Sequence, residues 1–113
     1  MNTAKIEDYE EILATAQLYI DGCAKGDGDM MRPAFHELAT INGAPIESLF
    51  KGATEAGPCD SSAHVEVLDV VDNTAVIRIY LRNYFGKDYV DIHTLLKTED
   101  GWKVVSKVFA EVQ

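Results

Sequence analysis

Near residue 62 the spacing of apolar residues changes from every third or fourth position to every second, and a chain that makes this switch once has few ways to bury both halves. Before the switch, "KIEDYEEILATAQLYIDGCAKGD" (residues 5–27) puts Ile6, Tyr9, Ile12 with Leu13, Ala16, Tyr19 with Ile20, and Cys23 on one stripe of an amphipathic helix. Glu7, Asp8, Glu10, Glu11 and Gln17 fall outside the stripe, and Gly22, Gly26 and Gly28 mark its end. A second, shorter helix is predicted over Asp29–His36, with Asp27 or Asp29 as N-cap and Pro33 in the first turn, where a missing N–H costs little. Asn42–Gly43 reads as a turn, and Ile46–Ala53 as a short helix before a Gly/Pro loop.

After the switch, "AHVEVLDVV" and "AVIRIYLRNYF" are joined by "DN", and "YVDIHTLLK" and "WKVVSKVFAEV" by "TEDG", so two hairpins follow one another. Ile77, Ile79 and Leu81 face one way and Arg78, Tyr80, Arg82 and Tyr84 the other. Helices followed by an antiparallel sheet give an α+β layer architecture, and 113 residues, with no repeat or linker, make residues 1–113 one domain.

The net charge of −9, with ten bases scattered singly along the chain, argues against nucleic acid and anionic lipid as partners. Cys23 and Cys59 lack a CxxC spacing and read as reduced thiols, and no apolar run approaches the ~18 residues of a membrane span. The acidic opening "MNTAKIEDYEEI" is unlike a secretory signal, so a cytoplasmic protein is expected. No phosphate-binding glycine loop, Gly-x-Ser-x-Gly elbow or His-x-x-x-His pair is present, so no cofactor and no metal site are expected.

Chemistry concentrates at Asp91 and His93, two residues apart on a predicted strand and therefore on one face. A carboxylate there could orient an imidazole or share a proton relay with it, which makes the two the candidate acid–base pair; the plainer reading, and the one preferred, is pocket polarity or a dimer contact. His36, at the predicted end of the second helix, either caps that helix or stands at a pocket mouth; His64 opens a strand without an obvious partner.

The stretches Tyr19–Asp27, Phe35–Ala39 and Asp91–Phe109, the last reading "DIHTLLKTEDGWKVVSKVF", are together similar to the nuclear transport factor 2-like superfamily, and within it to the lumazine-binding / SnoaL-like group. The resemblance covers nearly the whole chain; it departs at Leu38 and in the compact 43–62 region. It implies a cone, with two or three N-terminal helices packed on a strongly curved antiparallel sheet around a pocket, in a homodimer formed through the outer sheet face. On that face Arg78, Tyr80, Arg82 and Tyr84 are the expected interface residues, with Lys97, Lys103 and Lys107 on adjacent strands.

Tyr19, His36, Asp91 and His93 are the expected pocket residues. An isomerase of this superfamily needs an aspartate base, a tyrosine donor and a second donor. Tyr19 matches the tyrosine, whereas the base falls at about Gly43, without a side chain, and the second donor near His93 or Thr94. The leading expectation is therefore a binding domain for a small organic ligand in an apolar pocket. One alternative is an isomerase, cyclase or dehydratase using Asp91 and His93 with Tyr19 as donor; another is a structural module with a vestigial pocket.

Overall fold

A computed structural model describes residues 5–113. The acidic opening stretch discussed above lies partly outside the described residues.

Helix α1 (Ile6–Lys25) follows most of the predicted stripe: Ile12, Ala16, Tyr19, Ile20 and Cys23 are buried, whereas Tyr9 and Leu13, placed on the same stripe, are exposed. Its first turn is rotated relative to expectation. Ile6 is exposed and Asp8 is buried, because the Asp8 carboxylate accepts from Lys5 N at 3.1 Å, Lys97 Nζ at 2.8 Å and Trp102 Nε1 at 3.2 Å. These donors, the Lys97 ammonium first, hold the Asp8 pKa down at about 2 and tie the start of the helix to the sheet. Gly26 ends α1 in the left-handed region (φ 64°), its N–H returning to the Gly22 carbonyl.

The second predicted helix is shorter than expected. Helix α2 is one turn (Gly28–Met31), capped by Asp27, whose side chain accepts from Met30 N at 3.1 Å; a 3₁₀ turn over Arg32–Ala34 follows. From Phe35 the chain is already strand: β1 (Phe35–Ile41) turns at Asn42–Gly43, both with positive φ, into β2 (Ala44–Pro45). Helix α3 (Glu47–Ala56) then leads to β3 (Ser62–Val71), β4 (Thr74–Tyr84), β5 (Lys87–Thr98) and β6 (Gly101–Val112).

The sheet runs β2-β1-β6-β5-β4-β3. Strands β3 to β6 form an antiparallel meander, as the hairpin turns predict; β1 lies parallel to β6, so the sheet is mostly rather than wholly antiparallel. Ile77, Ile79, Leu81, Leu95, Trp102 and Val104 point into the core beneath α1 and α3.

Register breaks between Val67 and Asp69 on β3, between Leu81 and Tyr84 on β4, and between Thr94 and Leu95 on β5, where Val105 of β6 is the extra residue. Each extra residue bends its strand and reverses which side chains face inward beyond it.

Candidate functional site

Two of those bulges build the site. On β6, Trp102 and Val104 face inward; past the bulge at Val105, inward facing passes to Lys107, which is only 3% exposed. On β4, Leu81 faces inward and, past the bulge at Arg82–Asn83, so does Tyr84. Asn83 sits at φ 58°, its N–H donating to Asp88 Oδ1 at 2.8 Å. Strict alternation puts Lys107 and Tyr84 on the outer face, so the bulges correct both placements. Arg78, Tyr80 and Arg82 remain outside, Arg78 pairing with Glu66 at 3.0 Å.

A pocket of about 140 Å³ lies between α1, α3 and the concave sheet face. Its floor is buried: Tyr19 and Cys23 from α1, Leu81, Asp91 and Lys107 from the sheet. Its mouth is formed by half-exposed Ile41, Leu49, Tyr84, Tyr89 and Phe109. The space is half the ~300 Å³ at the lower end of ligand pockets, and close to the ~150 Å³ of an engineered cavity that holds benzene. Its floor carries the expected Asp91 carboxylate and, beside it, the Lys107 amine, which was not among the expected pocket residues.

Of the expected pocket residues, Tyr19 and Asp91 line the space. His93 is fully buried behind them, wedged against Tyr19 (ring centroids 5.2 Å apart) and Phe35 (6.2 Å), and does not reach the pocket. His36 is not at the mouth. It is the second residue of β1 rather than a helix end, it lies by Thr98, Asp100 and Lys103, and its Nδ1 accepts from Leu38 N at 3.0 Å.

The polar groups converge on one atom. Asp91 Oδ2 accepts from Tyr19 Oη at 2.7 Å, stands 3.3 Å from His93 Nε2, and forms an ion pair with Lys107 Nζ at 3.6 Å. Strand pairing makes this possible: Ile77, His93 and Lys107 form one cross-strand row, and Ile79, Asp91 and Phe109 the next. Burial alone would raise the Asp91 pKa, but the His93 N–H, the Lys107 charge and the Tyr19 hydroxyl outweigh it and hold the carboxyl below its usual range.

Burial lowers the pKa of His93, which is therefore neutral at neutral pH, with its proton on the nitrogen facing Asp91. Burial also lowers the Lys107 pKa, only partly offset by Asp91. The two partners of this ion pair thus pull in opposite senses, since a low carboxyl pKa favours the charged pair and a low amine pKa disfavours it. The geometry resolves this. Asp91 keeps two donors that do not depend on Lys107, whereas Lys107 has one anion beyond hydrogen-bond length, and two aromatic faces, Phe109 at 4.0 Å and Tyr19 at 5.4 Å. Asp91 is therefore the partner that is ionised in the resting site, and Lys107 the one that gives up its proton more readily.

Desolvation and the neighbouring Asp91 push the Tyr19 hydroxyl well above its ordinary range, so it remains a proton donor to Asp91. Burial pushes the Cys23 thiol up to about 12, which makes it part of the wall and no nucleophile. Asp91 Oδ1 and His93 Nδ1 are buried without a hydrogen-bond partner among the described residues. Among those residues no cluster of three His, Cys, Asp or Glu could hold a metal, and no helix is long and apolar enough to cross a membrane.

Two site residues, Tyr84 and Lys107, were expected on the outer sheet face and line the pocket instead; the charged one is Lys107. Its only signal is a lone charge between Val104–Val105 and Val108–Phe109, in a strand that otherwise needs none there.

A curved, mostly antiparallel sheet with helices over its concave face and a side-chain-lined space between them is the architecture of NTF2-like and cystatin-like proteins. An NTF2-like protein of unknown function from Shewanella baltica superposes with a TM-score of 0.90 at 31% identity, over 99% of each chain. One from Methylobacillus flagellatus superposes at 0.92 with 26% identity, over 98% of this chain and 97% of that one. The family described as Putative lumazine-binding matches residues 7–110, and the chain belongs to that family within the NTF2-like superfamily. A protein named aldolase FrzH, from Cladobotryum sp., is 26% identical over 90% of each chain.

Proposed function

We propose that this protein binds a small organic molecule, about one six-membered ring in size, in the pocket between α1, α3 and the curved sheet, with Asp91 as its polar anchor. The observation that carries this reading is the uncommitted Asp91 Oδ1: a buried carboxylate oxygen without a partner costs free energy that a ligand N–H or O–H would recover. The aromatic mouth of Tyr84, Tyr89 and Phe109 supplies flat apolar contact for a ring. A cytoplasmic homodimer is part of the reading. Two free cysteines support the location, and the exposed Ile92 and Val108 beside the Arg78–Glu66 pair on the outer sheet face support self-association.

A second reading, proton-transfer catalysis, is favoured by the same oxygen and by the relative named aldolase. In it Asp91 is the base that touches the ligand and Tyr19 the donor, while His93 orients Asp91 from behind. Titration with benzyl alcohol, followed by amide NMR, tests the binding reading. Shifts should cluster at Tyr19, Leu81, Tyr89, Asp91 and Lys107 and vanish in Ile41→Trp, which fills the mouth. Shifts confined to the outer sheet face, or none at all, would refute the reading.

A further inference from the structure

We propose that Lys107 is a nucleophilic amine, forming an imine with a small aldehyde or ketone held in the pocket. The proposal names the substrate class of the binding site described above and rests on that reading of it.

The placement is what a covalent lysine requires. Lys107 Nζ is on the floor of a ring-sized space, 3% exposed, with aromatic faces on two sides and one carboxylate 3.6 Å away. A lysine serving only as a structural counter-ion gains most from direct, hydrogen-bonded contact with its acid, and here Tyr19 and His93 hold the nearer positions on Asp91 Oδ2. Burial weakens the ammonium, which favours the free amine that attacks carbonyl carbon. The remaining lysines stand outside this space; Lys51, on α3, is mostly exposed.

The proton ledger closes within the site. The Lys107 ammonium passes one proton to the Asp91 carboxylate, and the freed nitrogen lone pair adds to the carbonyl carbon as the C=O π pair moves to oxygen. A proton shifts from the new N–C nitrogen to that oxygen, giving a neutral carbinolamine. Asp91 then returns its proton to the hydroxyl, which leaves as water while the nitrogen lone pair forms the C=N bond. Ammonium plus carbonyl compound becomes iminium plus water, with no oxidant or further reactant. The iminium draws electrons from the neighbouring carbon, whose C–H becomes acidic where one exists, and the regenerated Asp91 carboxylate is the base beside it.

Benzaldehyde with cyanoborohydride on the whole protein at neutral pH tests the step, read by intact mass and peptide mapping. One benzyl group should appear at Lys107, at a rate about tenfold or more above that at Lys51. It should be absent in Lys107→Arg, which keeps the charge without a nucleophilic amine, and in Lys107→Met. Because the mapping is done on the unmodified sequence, the result does not depend on either variant folding. Benzyl alcohol, the same shape without an electrophilic carbon, is titrated in parallel. If it binds the pocket while benzaldehyde labels only exposed lysines, the imine is overturned and the binding reading survives. If benzyl alcohol does not bind and Lys107 is unlabelled, both fall.

Discussion

Tyr19→Phe removes one oxygen atom and isolates the bond on which the site's geometry depends. The phenylalanine ring keeps the edge-on contacts with Phe35 (6.1 Å between centroids) and His93 (5.2 Å), so packing is preserved. What is lost is the 2.7 Å donation from Tyr19 Oη to Asp91 Oδ2, a buried bond to a charged acceptor. Such bonds contribute about 1.5–3 kcal/mol. With an unfolding entropy near 2.1 cal/mol/K per residue, the chain as a whole unfolds with roughly 0.24 kcal/mol/K, so the midpoint should fall by about 6–13 °C. The Asp91 pKa should rise, because one of the three groups favouring its charged form is gone. Thermal melts by circular dichroism and a carbon-detected titration of the Asp91 carboxyl measure the two effects. A midpoint unchanged within error, together with an unaltered Asp91 titration, would show that the hydroxyl is not engaged and would refute the convergence on Oδ2.

Three further outcomes are expected. Because burial lowers the His93 pKa below 6.5, the unfolded chain takes up that proton first; stability present above pH 6.5 is lost as pH falls below it, by up to about 1.4 kcal/mol per pH unit. Denaturant melts from pH 7.5 to 5 should show this slope, and His93→Gln should flatten it; an equal slope in the variant contradicts the assignment. In Gly28→Ala the new Cβ would lie 2.1 Å from the Phe50 carbonyl oxygen, forcing α2 away from α3, at a cost above about 2 kcal/mol in urea melts; an unchanged urea midpoint would mean that the two helices are not in contact. Sedimentation at micromolar concentration should give twice the 12.5 kDa chain mass, and Ile92→Asp with Val108→Asp should return it to 12.5 kDa; a 12.5 kDa species before mutation removes the dimer.

The meander of four strands was readable because two of its three turns carry their own chemistry: Asp72–Asn73 and the Thr98–Gly101 corner separate runs that alternate up to their bulges. Helix α1 was readable from its helical period, apart from Leu13, which is exposed, and the first turn, where Lys5 N, Lys97 and Trp102 turn Asp8 inward. Strand β1 was not. "FHELATI" has no period-two pattern, and it becomes a strand through the free edge of β6 and the turn back into β2. Its burial pattern comes from what covers it, so nothing local marks it.

Local composition and periodicity suffice to specify two layers, the order of their elements, and an aspartate and histidine sharing a face, since each follows from side chains repeating along a few turns or strands. Which lysine and which tyrosine enter the pocket is a different kind of fact. Lys107 and Tyr84 turn inward because Val105, and one residue of the Arg82–Asn83 pair that stands opposite Asp88, are extra relative to their partner strands, and an extra residue is defined only once two strands are laid side by side. Register between strands far apart in the chain therefore decides the chemistry of the floor, and no reading of one strand alone contains it.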